Sequence, residues 1–119
     1  MNSNDAYLQK LLSTTTYKQE ALSWLRKPDG KERTIGDGGQ DAAASLHLVK
    51  DLYQRGAIEV TAIDIETDTH LETTSTLIVK LPQEASARKR VFQTEATIAR
   101  EGGFDAVDDE GQHYLMLHW

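Results

Sequence analysis

The sequence predicts an α+β fold, namely a small two-layer sandwich of the split βαβ or ferredoxin-like kind with an extra N-terminal helix or helices. The second half of the chain contains four regular segments, which are two strands, a helix and a last strand. In chain order they are Ile58–Glu66, Thr76–Leu81, Glu84–Glu101 and Tyr114–Trp119. The strands are alternating or continuously apolar, and the helix has an apolar period near 3.6 residues. Two paired strands followed by a crossover helix and another strand form a split βαβ unit.

Length and composition predict one folded domain. The chain has 119 residues, of which 39% are hydrophobic and 27% charged, and this balance excludes disorder of the whole chain. A chain of this length can bury enough apolar surface to fold without a metal or disulfides. We therefore expect a single domain over residues 1–119, with a helical N-terminal part at 1–35 and an αββαβ core at 36–119. The absence of cysteine excludes disulfides, thiolate nucleophiles and Cys-based zinc sites.

The charge of the chain opposes binding to nucleic acid. The net charge is −6, whereas nucleic-acid binding needs Lys and Arg to neutralise phosphates. The basic cluster Arg88–Arg90 falls on a predicted helix, where three successive residues fan over about 200° and form no single patch. No apolar run approaches the roughly 18 residues that span a bilayer, and no basic segment leads into an apolar signal. These features predict a cytoplasmic protein that binds neither nucleic acid nor membrane.

Cap-type residues predict two short helices in the N-terminal part. The first is capped by Ser3 or Asn4, runs through Leu12 and carries leucines on one side. Thr16 and Gln19 have the spacing of a capping box, which predicts a second helix through about Leu25.

A β-hairpin is the alternative for residues 20–35. Its arms are Ser23–Lys27 and Lys31–Ile35, and the turn between them contains Pro28 and Gly30. If the residues near Arg33 form a strand, the element order becomes βαββαβ, which is ferredoxin-like.

The segment Gln40–Arg55 has the clearest helical pattern. One face of it carries Ala42, Ser45, Leu46, Val49, Leu52 and Tyr53. Gly56 ends the helix because a residue without Cβ adopts the left-handed conformation easily. Since one residue separates Gly56 from the strand at Ile58, the helix must lie against the sheet. Leu46 and Tyr53 are accordingly predicted to be deeply buried.

The strand patterns and the segment between them raise three further expectations. Ala62 and Ile63 interrupt the alternation of the first strand, so either both of its faces are covered or a bulge returns the apolar side chains to one face. The segment Thr67–Ser75 is predicted to be a polar connection. The last strand is apolar on both alternating sides, which predicts that both of its faces are covered.

The glycine-rich segment before the third helix is a candidate anion site. Gly36, Gly38 and Gly39 can present backbone N–H groups at a helix N-terminus, where the dipole favours an anion. The segment lacks the spacing of the P-loop and of the dinucleotide fingerprint. Asp37 also places a negative charge where a phosphate would lie. The alternative is that Asp37 caps the helix and the glycines form the turn.

Acidic residues and one histidine alternate through the end of the first predicted strand. They are Asp64, Glu66, Asp68, His70 and Glu72. Neighbours on one face of a strand lie about 6.6 Å apart, which is too far for shared coordination of one cation. We therefore predict a solvated strand end, with no metal site and no cofactor.

Three residues are candidates for a catalytic group, although the sequence assigns none. Glu95 lies in the apolar stripe of the fourth helix, where a carboxylate is costly unless it is paired. Arg88 projects in nearly the same direction two turns earlier. His118 lies in the last strand, and an acidic stretch comes just before that strand. In a catalytic group, Glu95 can serve as the acid, Arg88 as the partner of that acid and His118 as a general base. The alternative is that Arg88 and Glu95 extend to solvent around a less buried helix.

Together these observations predict a non-enzymatic protein-binding or regulatory module. Its partner is another protein, or a second copy of the chain, bound through a face or edge of the sheet. The alternative is a small enzyme or ligand-binding domain that uses the Glu/Arg/His group on an open sheet face. A concave site lined by Glu95, Arg88 and His118 would favour this alternative, and a flat or convex surface would favour the binding module.

Overall fold

Four helices and seven strands make up the computed structural model, which describes residues 3–14, 17–36 and 41–119. The helices are α1 (Ser3–Thr14), α2 (Ala21–Leu25), α3 (Ala42–Arg55) and α4 (Ala85–Glu101). The strands are β1 (Gln19–Glu20), β2 (Glu32–Ile35), β3 (Glu59–Ile63), β4 (Glu66–Thr67), β5 (Leu71–Thr74), β6 (Thr76–Lys80) and β7 (Tyr114–His118). The predicted α+β class is confirmed.

The strands form two sheets within the described ranges. The larger sheet has the order β1-β3-β6-β7, and each neighbouring pair is antiparallel. The smaller sheet has the order β2-β5-β4, in which β2 is parallel to β5 and β4 is antiparallel to it. The ferredoxin-like arrangement is not confirmed. A crossover helix joins parallel strands, whereas β7 lies directly beside β6 and antiparallel to it. The strand expected near Arg33 exists as β2 but belongs to the smaller sheet.

Helices cover both faces of the larger sheet. On one face α2, α3 and α4 enclose the main hydrophobic core. On the other face α1 packs Leu8 against Ile63 and Ile78. The side chains of β3 are therefore buried on both sides, which is the first of the two alternatives for its change of phase. Asp64 then adopts a left-handed conformation with φ of 52°, and Ile65 rejoins the main core.

The ends of α3 are fixed by two local features. The C-cap Gly56 is left-handed, with φ of 116°, as the sequence predicts. At the other end the N-cap is Asp41, whose carboxylate accepts a hydrogen bond of 2.7 Å from the N–H of Ala44. The alternative cap Asp37 lies outside the described residues.

The buried face of α3 differs from the prediction. Its fully buried residues are Ser45, Val49 and Leu52. The expectation of deep burial for Leu46 and Tyr53 is wrong, because both are half-buried. Tyr53 lies at the border of the core, where its hydroxyl accepts from the N–H of Val60 at 3.0 Å and donates to Glu20 at 2.6 Å. Burial, followed by the hydrogen bond to Glu20, raises the pKa of Tyr53 to about 12.

The second helix is shorter than predicted. It begins at Ala21, and its N-cap is Glu20, whose carboxylate accepts from the N–H groups of Leu22 and Ser23. The proposed cap Thr16 lies outside the described residues. Of the two alternatives for residues 20–35, the helix is correct for the first arm. The second arm is a strand, but it pairs with β5 rather than with the first arm.

The expectation of a polar connection at Thr67–Ser75 is wrong in part, because this segment contains β5. The side chains of Glu72 and Thr74 are buried in this strand, while Leu71 is exposed. The inward positions are therefore polar and the outward one apolar, which is why the usual alternation does not reveal the strand.

A buried ion pair joins the strands of the smaller sheet. Arg33 Nε donates to Glu72 Oε1 at 2.8 Å, and Trp24 Nε1 donates to the same oxygen at 3.2 Å. The hydroxyl of Thr67 donates to Glu72 Oε2 at 2.8 Å. The other end of the Arg33 guanidinium donates two hydrogen bonds, of 2.6 and 2.7 Å, to Asp29. Burial alone would raise the pKa of Glu72, but the hydrogen bonds from Thr67, Arg33 and Trp24 hold it below its ordinary value.

Candidate functional site

A cavity of about 190 Å³ opens between α4, the segment 104–107 and β7. Its walls are mainly apolar and consist of Ile98, Ala99, Phe104, Val107, Met116 and Leu117. Three ionisable side chains also line it, namely Glu95, Asp105 and His118. An apolar concavity with a few convergent polar groups has the general character of a binding site.

Glu95 is the buried polar group of this cavity. It lies on the inner side of α4, with Val91 and Ala99 buried one turn on either side of it. Its side chain is 6% exposed, and Oε1 accepts a hydrogen bond of 2.9 Å from the N–H of Val107. Within the described ranges, Oε2 has no hydrogen-bond or ion-pair partner. A buried carboxylate oxygen without a partner is energetically costly, so this oxygen distinguishes the cavity from an ordinary packing defect.

Arg88 does not line the cavity. Its guanidinium donates to both carboxylate oxygens of Asp109, at 2.6 and 3.1 Å, and to the carbonyl of Pro82 at 3.1 Å. Its Cζ also lies 5.7 Å from the centre of the Phe92 ring. Arg88 is seven residues from Glu95, which is about 10 Å along a helix, and Asp109 lies at that distant end. The structure therefore brings two of the three candidates, Glu95 and His118, to one cavity and leaves Arg88 outside it.

His118 lies on the outer edge strand of the larger sheet. The N–H of Trp119 donates to Ser75 at 3.0 Å, and the N–H of Leu81 donates to His113 at 2.8 Å. Because hydrogen-bonded positions alternate in an antiparallel pair, the odd-numbered residues of β7 pair with β6. The even-numbered residues, including His118, point their backbone groups away from the sheet.

Within the described residues, the outward backbone N–H and carbonyl groups of β7 have hydrogen-bond partners at one end of the strand only. At Tyr114, the N–H donates to Asp5 at 3.1 Å and the carbonyl accepts from Asn4 at 2.9 Å, so α1 closes this end. The outward groups of Met116 and His118 have no partner among residues 3–14, 17–36 and 41–119. About four backbone donors and acceptors are thus left for pairing with an added strand.

The opposite edge of the larger sheet is the two-residue strand β1. Strand β1 pairs with Thr61 and Ala62 of β3. Beyond β1, the N–H of Val60 donates to the hydroxyl of Tyr53 at 3.0 Å, and the N–H of Ile65 donates to Tyr17 at 3.3 Å. Because β1 is so short and the neighbouring N–H groups of Val60 and Ile65 are hydrogen-bonded, β7 is the longer edge that the described part of this sheet offers to an added strand.

The cavity and the open edge of β7 are continuous. Successive side chains on a strand point to opposite faces, yet Met116, Leu117 and His118 all line the cavity. The cavity must therefore meet the edge of the strand and not only one face. Beside it, Phe104 is 67% exposed and Val107 is 45% exposed. Sequence reasoning missed this segment, although two large apolar residues in an otherwise acidic stretch after Gly102–Gly103 were a usable signal.

The glycine segment is described only in part. Gly36 has φ of 88°, and a Cβ added there would lie 3.1 Å from Cδ1 of Trp119. Its lack of a side chain thus serves both the backbone conformation and the close approach of the indole. Gly38 and Gly39 lie outside the described residues, and the anion site stays a prediction.

The alternating acidic residues occupy three separate structural settings. Asp64 forms the left-handed turn after β3, and Glu72 belongs to the buried pair with Arg33. Glu66, Asp68 and His70 are exposed. No group of three or more His, Asp or Glu residues in the described part of the chain is arranged to hold a metal ion.

Two findings complete the description of the chain. None of the helices in the described ranges combines the length and apolarity needed to cross a membrane. Comparisons with protein-family models, with curated proteins and with solved structures give no match to this chain.

Proposed function

We propose that the protein is a non-enzymatic binding module that takes an extended segment of another protein as an additional strand beside β7. The observation that carries this proposal is the pair of outward-facing residues Met116 and His118 next to an apolar cavity. Strand addition at a free sheet edge draws affinity from main-chain hydrogen bonds and specificity from pockets for alternate side chains. Unpaired main-chain groups, as judged among the described residues, and a pocket for a side chain lie together at the edge of β7.

Charge favours a basic partner over a second copy of the chain. The segment next to the edge carries Asp105, Asp108, Asp109 and Glu110, and the whole chain has a net charge of −6. Of these, Asp109 is paired with Arg88. Pairing of two identical β7 edges would bring two such segments together, and like charges across an interface are unfavourable. A basic segment would be attracted instead. A cytoplasmic location, consistent with a chain without cysteine, forms part of the proposal.

The enzymatic alternative receives less support from the site. It needs Glu95, Arg88 and His118 in one group, and Arg88 is held by Asp109 outside the cavity. The proposed strand addition uses only groups that already meet at the edge of β7.

Replacing His118 by proline should abolish partner binding without unfolding the protein. Proline removes the outward N–H, which has no acceptor among the described residues, and proline is tolerated on an edge strand whose N–H faces solvent. The matched control is His118→Ala, which removes the side chain but keeps the N–H. Short random peptides displayed on phage provide the probe.

We expect peptides selected on the wild-type protein to bind His118→Ala with an affinity within a few fold of the wild-type value and not to bind His118→Pro. Both variants should keep the wild-type circular dichroism spectrum. Selected peptides that bind a folded His118→Pro variant as tightly as the wild type would contradict strand addition at this edge. So would a selection that enriches no peptide. Assembly of the wild-type protein into a dimer that His118→Pro dissociates would assign the edge to a second copy and overturn the basic partner.

A further inference from the structure

We infer that the cavity beside β7 holds an arginine side chain of the bound segment, with Glu95 as its counter-ion. This inference rests on the proposed function and adds the residue type that the site selects. Its starting point is the Oε2 of Glu95, which has no partner among the described residues and belongs to a residue that is 6% exposed in the wall of the cavity.

The burial of Glu95 is costly in the free protein. An ionised carboxylate accepts up to about four hydrogen bonds, and the described residues supply one, from Val107. Removal of a charge from water is unfavourable unless hydrogen bonds or an opposite charge replace the lost hydration. A cation that enters the cavity provides both, and it interacts with Glu95 in surroundings that water screens poorly.

Two features of the cavity suit arginine better than lysine. Its walls of Ile98, Met116 and Leu117 can enclose an aliphatic stem, and the exposed ring of Phe104 offers a face for a planar guanidinium. Asp105 is a second acidic group of the cavity. A guanidinium carries five donors and is more weakly hydrated than an ammonium, so it can bond two carboxylates at a smaller desolvation cost.

The position of the cavity also fits a side chain from an added strand. Alternate side chains of a strand paired with β7 point toward the side on which α4 lies. The cavity is lined by both α4 and β7, including Glu95 and Leu117. One side chain of the added strand is therefore directed at it while the main chain pairs with Met116 and His118.

The first test uses a peptide selected by phage display on the wild-type protein, prepared with its arginine, with lysine in its place and with uncharged, nearly isosteric citrulline. We expect citrulline to weaken binding by at least about tenfold, because it lacks the positive charge and carries a carbonyl oxygen in place of one donor nitrogen of arginine, and lysine to weaken it by less. In Glu95→Gln, where Asp105 is the remaining carboxylate of the cavity, the advantage of the arginine peptide over the citrulline peptide should be much smaller than in the wild type. The matched control Glu101→Gln changes an exposed residue of the same helix that does not line the cavity, and it should leave the arginine preference intact.

The outcomes separate this inference from the proposed function. Selected peptides that lack a shared arginine, or that bind as well with citrulline, would overturn the arginine site while strand addition stands. Equal binding of the lysine peptide would overturn the preference for guanidinium. An arginine preference that is undiminished in Glu95→Gln would overturn the role of that residue.

A second test does not depend on the strand. N-acetyl-arginine methylamide, titrated into the free protein and followed by nuclear magnetic resonance, should shift the Val107 and Phe104 amides saturably in the wild type and not in Glu95→Gln. The citrulline analogue should shift neither. Equal shifts with both compounds would refute the cavity as an arginine site, even if peptides bind at the edge.

Discussion

Replacement of Glu72 by alanine should lower the free energy of unfolding by about 3–5 kcal/mol, the usual cost of removing one partner of a buried ion pair. Glu72 is 8% exposed and Arg33 is 3% exposed. The substitution leaves the buried Nε of Arg33 without its acceptor and also removes the acceptor of Trp24 and Thr67. The smaller sheet should therefore loosen at the contact between β2 and β5. Urea denaturation followed by circular dichroism measures the loss.

A matched control for this prediction is Glu66→Ala in the neighbouring strand β4. Glu66 is exposed, and substitutions at exposed sites without specific contacts usually change stability by less than about 0.5 kcal/mol. Similar losses for the two variants would show that the ion pair is not the stabilising feature of the smaller sheet.

Acidification should unfold the protein progressively once the pH falls below about 4.5. Within the described residues, five carboxyl groups have a pKa lowered by the fold, namely Glu20, Asp29, Glu72, Glu84 and Asp109. Their ordinary values are 4.5 for Glu and 3.8 for Asp. Since each pKa is lower in the folded state, the unfolded chain takes up protons first as the pH falls. Their stabilisation is thus complete above the ordinary pKa values and is lost below them.

The causes of these shifts make the acid transition testable. Hydrogen bonds from the N–H groups of Ala87 and Ser86 lower the pKa of Glu84, and a hydrogen bond from Arg88 lowers that of Asp109. We expect the melting temperature to be nearly constant from pH 7 to 5 and to fall steeply toward pH 3. In Glu84→Gln the decline should be shallower, because one of the groups no longer titrates. A melting temperature independent of pH down to 3 would contradict the assigned hydrogen bonds.

The parts of the fold that could be predicted are those whose signals are local. The pattern of α3 and its end at Gly56, the length of α4 and the final apolar strand all follow from periodicity, caps and turn residues. Burial on α3 was harder to predict, because Tyr53 must keep its hydroxyl near polar partners and therefore lies at the border of the core. Periodicity indicates a face but not how far each residue of that face enters the core.

Sheet topology and the smaller sheet required information that no local pattern contains. Strand β5 buries Glu72 and is stabilised by Arg33, which lies 39 residues earlier in the chain. A buried ion pair between distant segments has the same local sequence as two solvated residues. For the same reason, nothing near β7 indicates whether it pairs in parallel after a crossover or antiparallel beside β6.

The candidate site was predictable in two of its residues, Glu95 and His118, and not in its geometry. Glu95 stood out as a carboxylate in an apolar stripe, and it is indeed buried. Its neighbours in the cavity come from the segment 104–107 and from β7, and their approach depends on the tertiary path of the chain after α4. Arg88 projects in nearly the same direction along the helix but does not join Glu95 in the cavity, since its guanidinium is paired with Asp109.

Amide hydrogen exchange along β7 tests the open edge most directly. In the free protein the amides of Leu115 and Leu117 should exchange slowly because they pair with β6, whereas those of Met116 and His118 should exchange fast. A bound peptide selected by phage display should protect Met116 and His118 and leave the rates of the other two nearly unchanged. Unaltered fast exchange at Met116 and His118 in the saturated complex would contradict strand addition at β7.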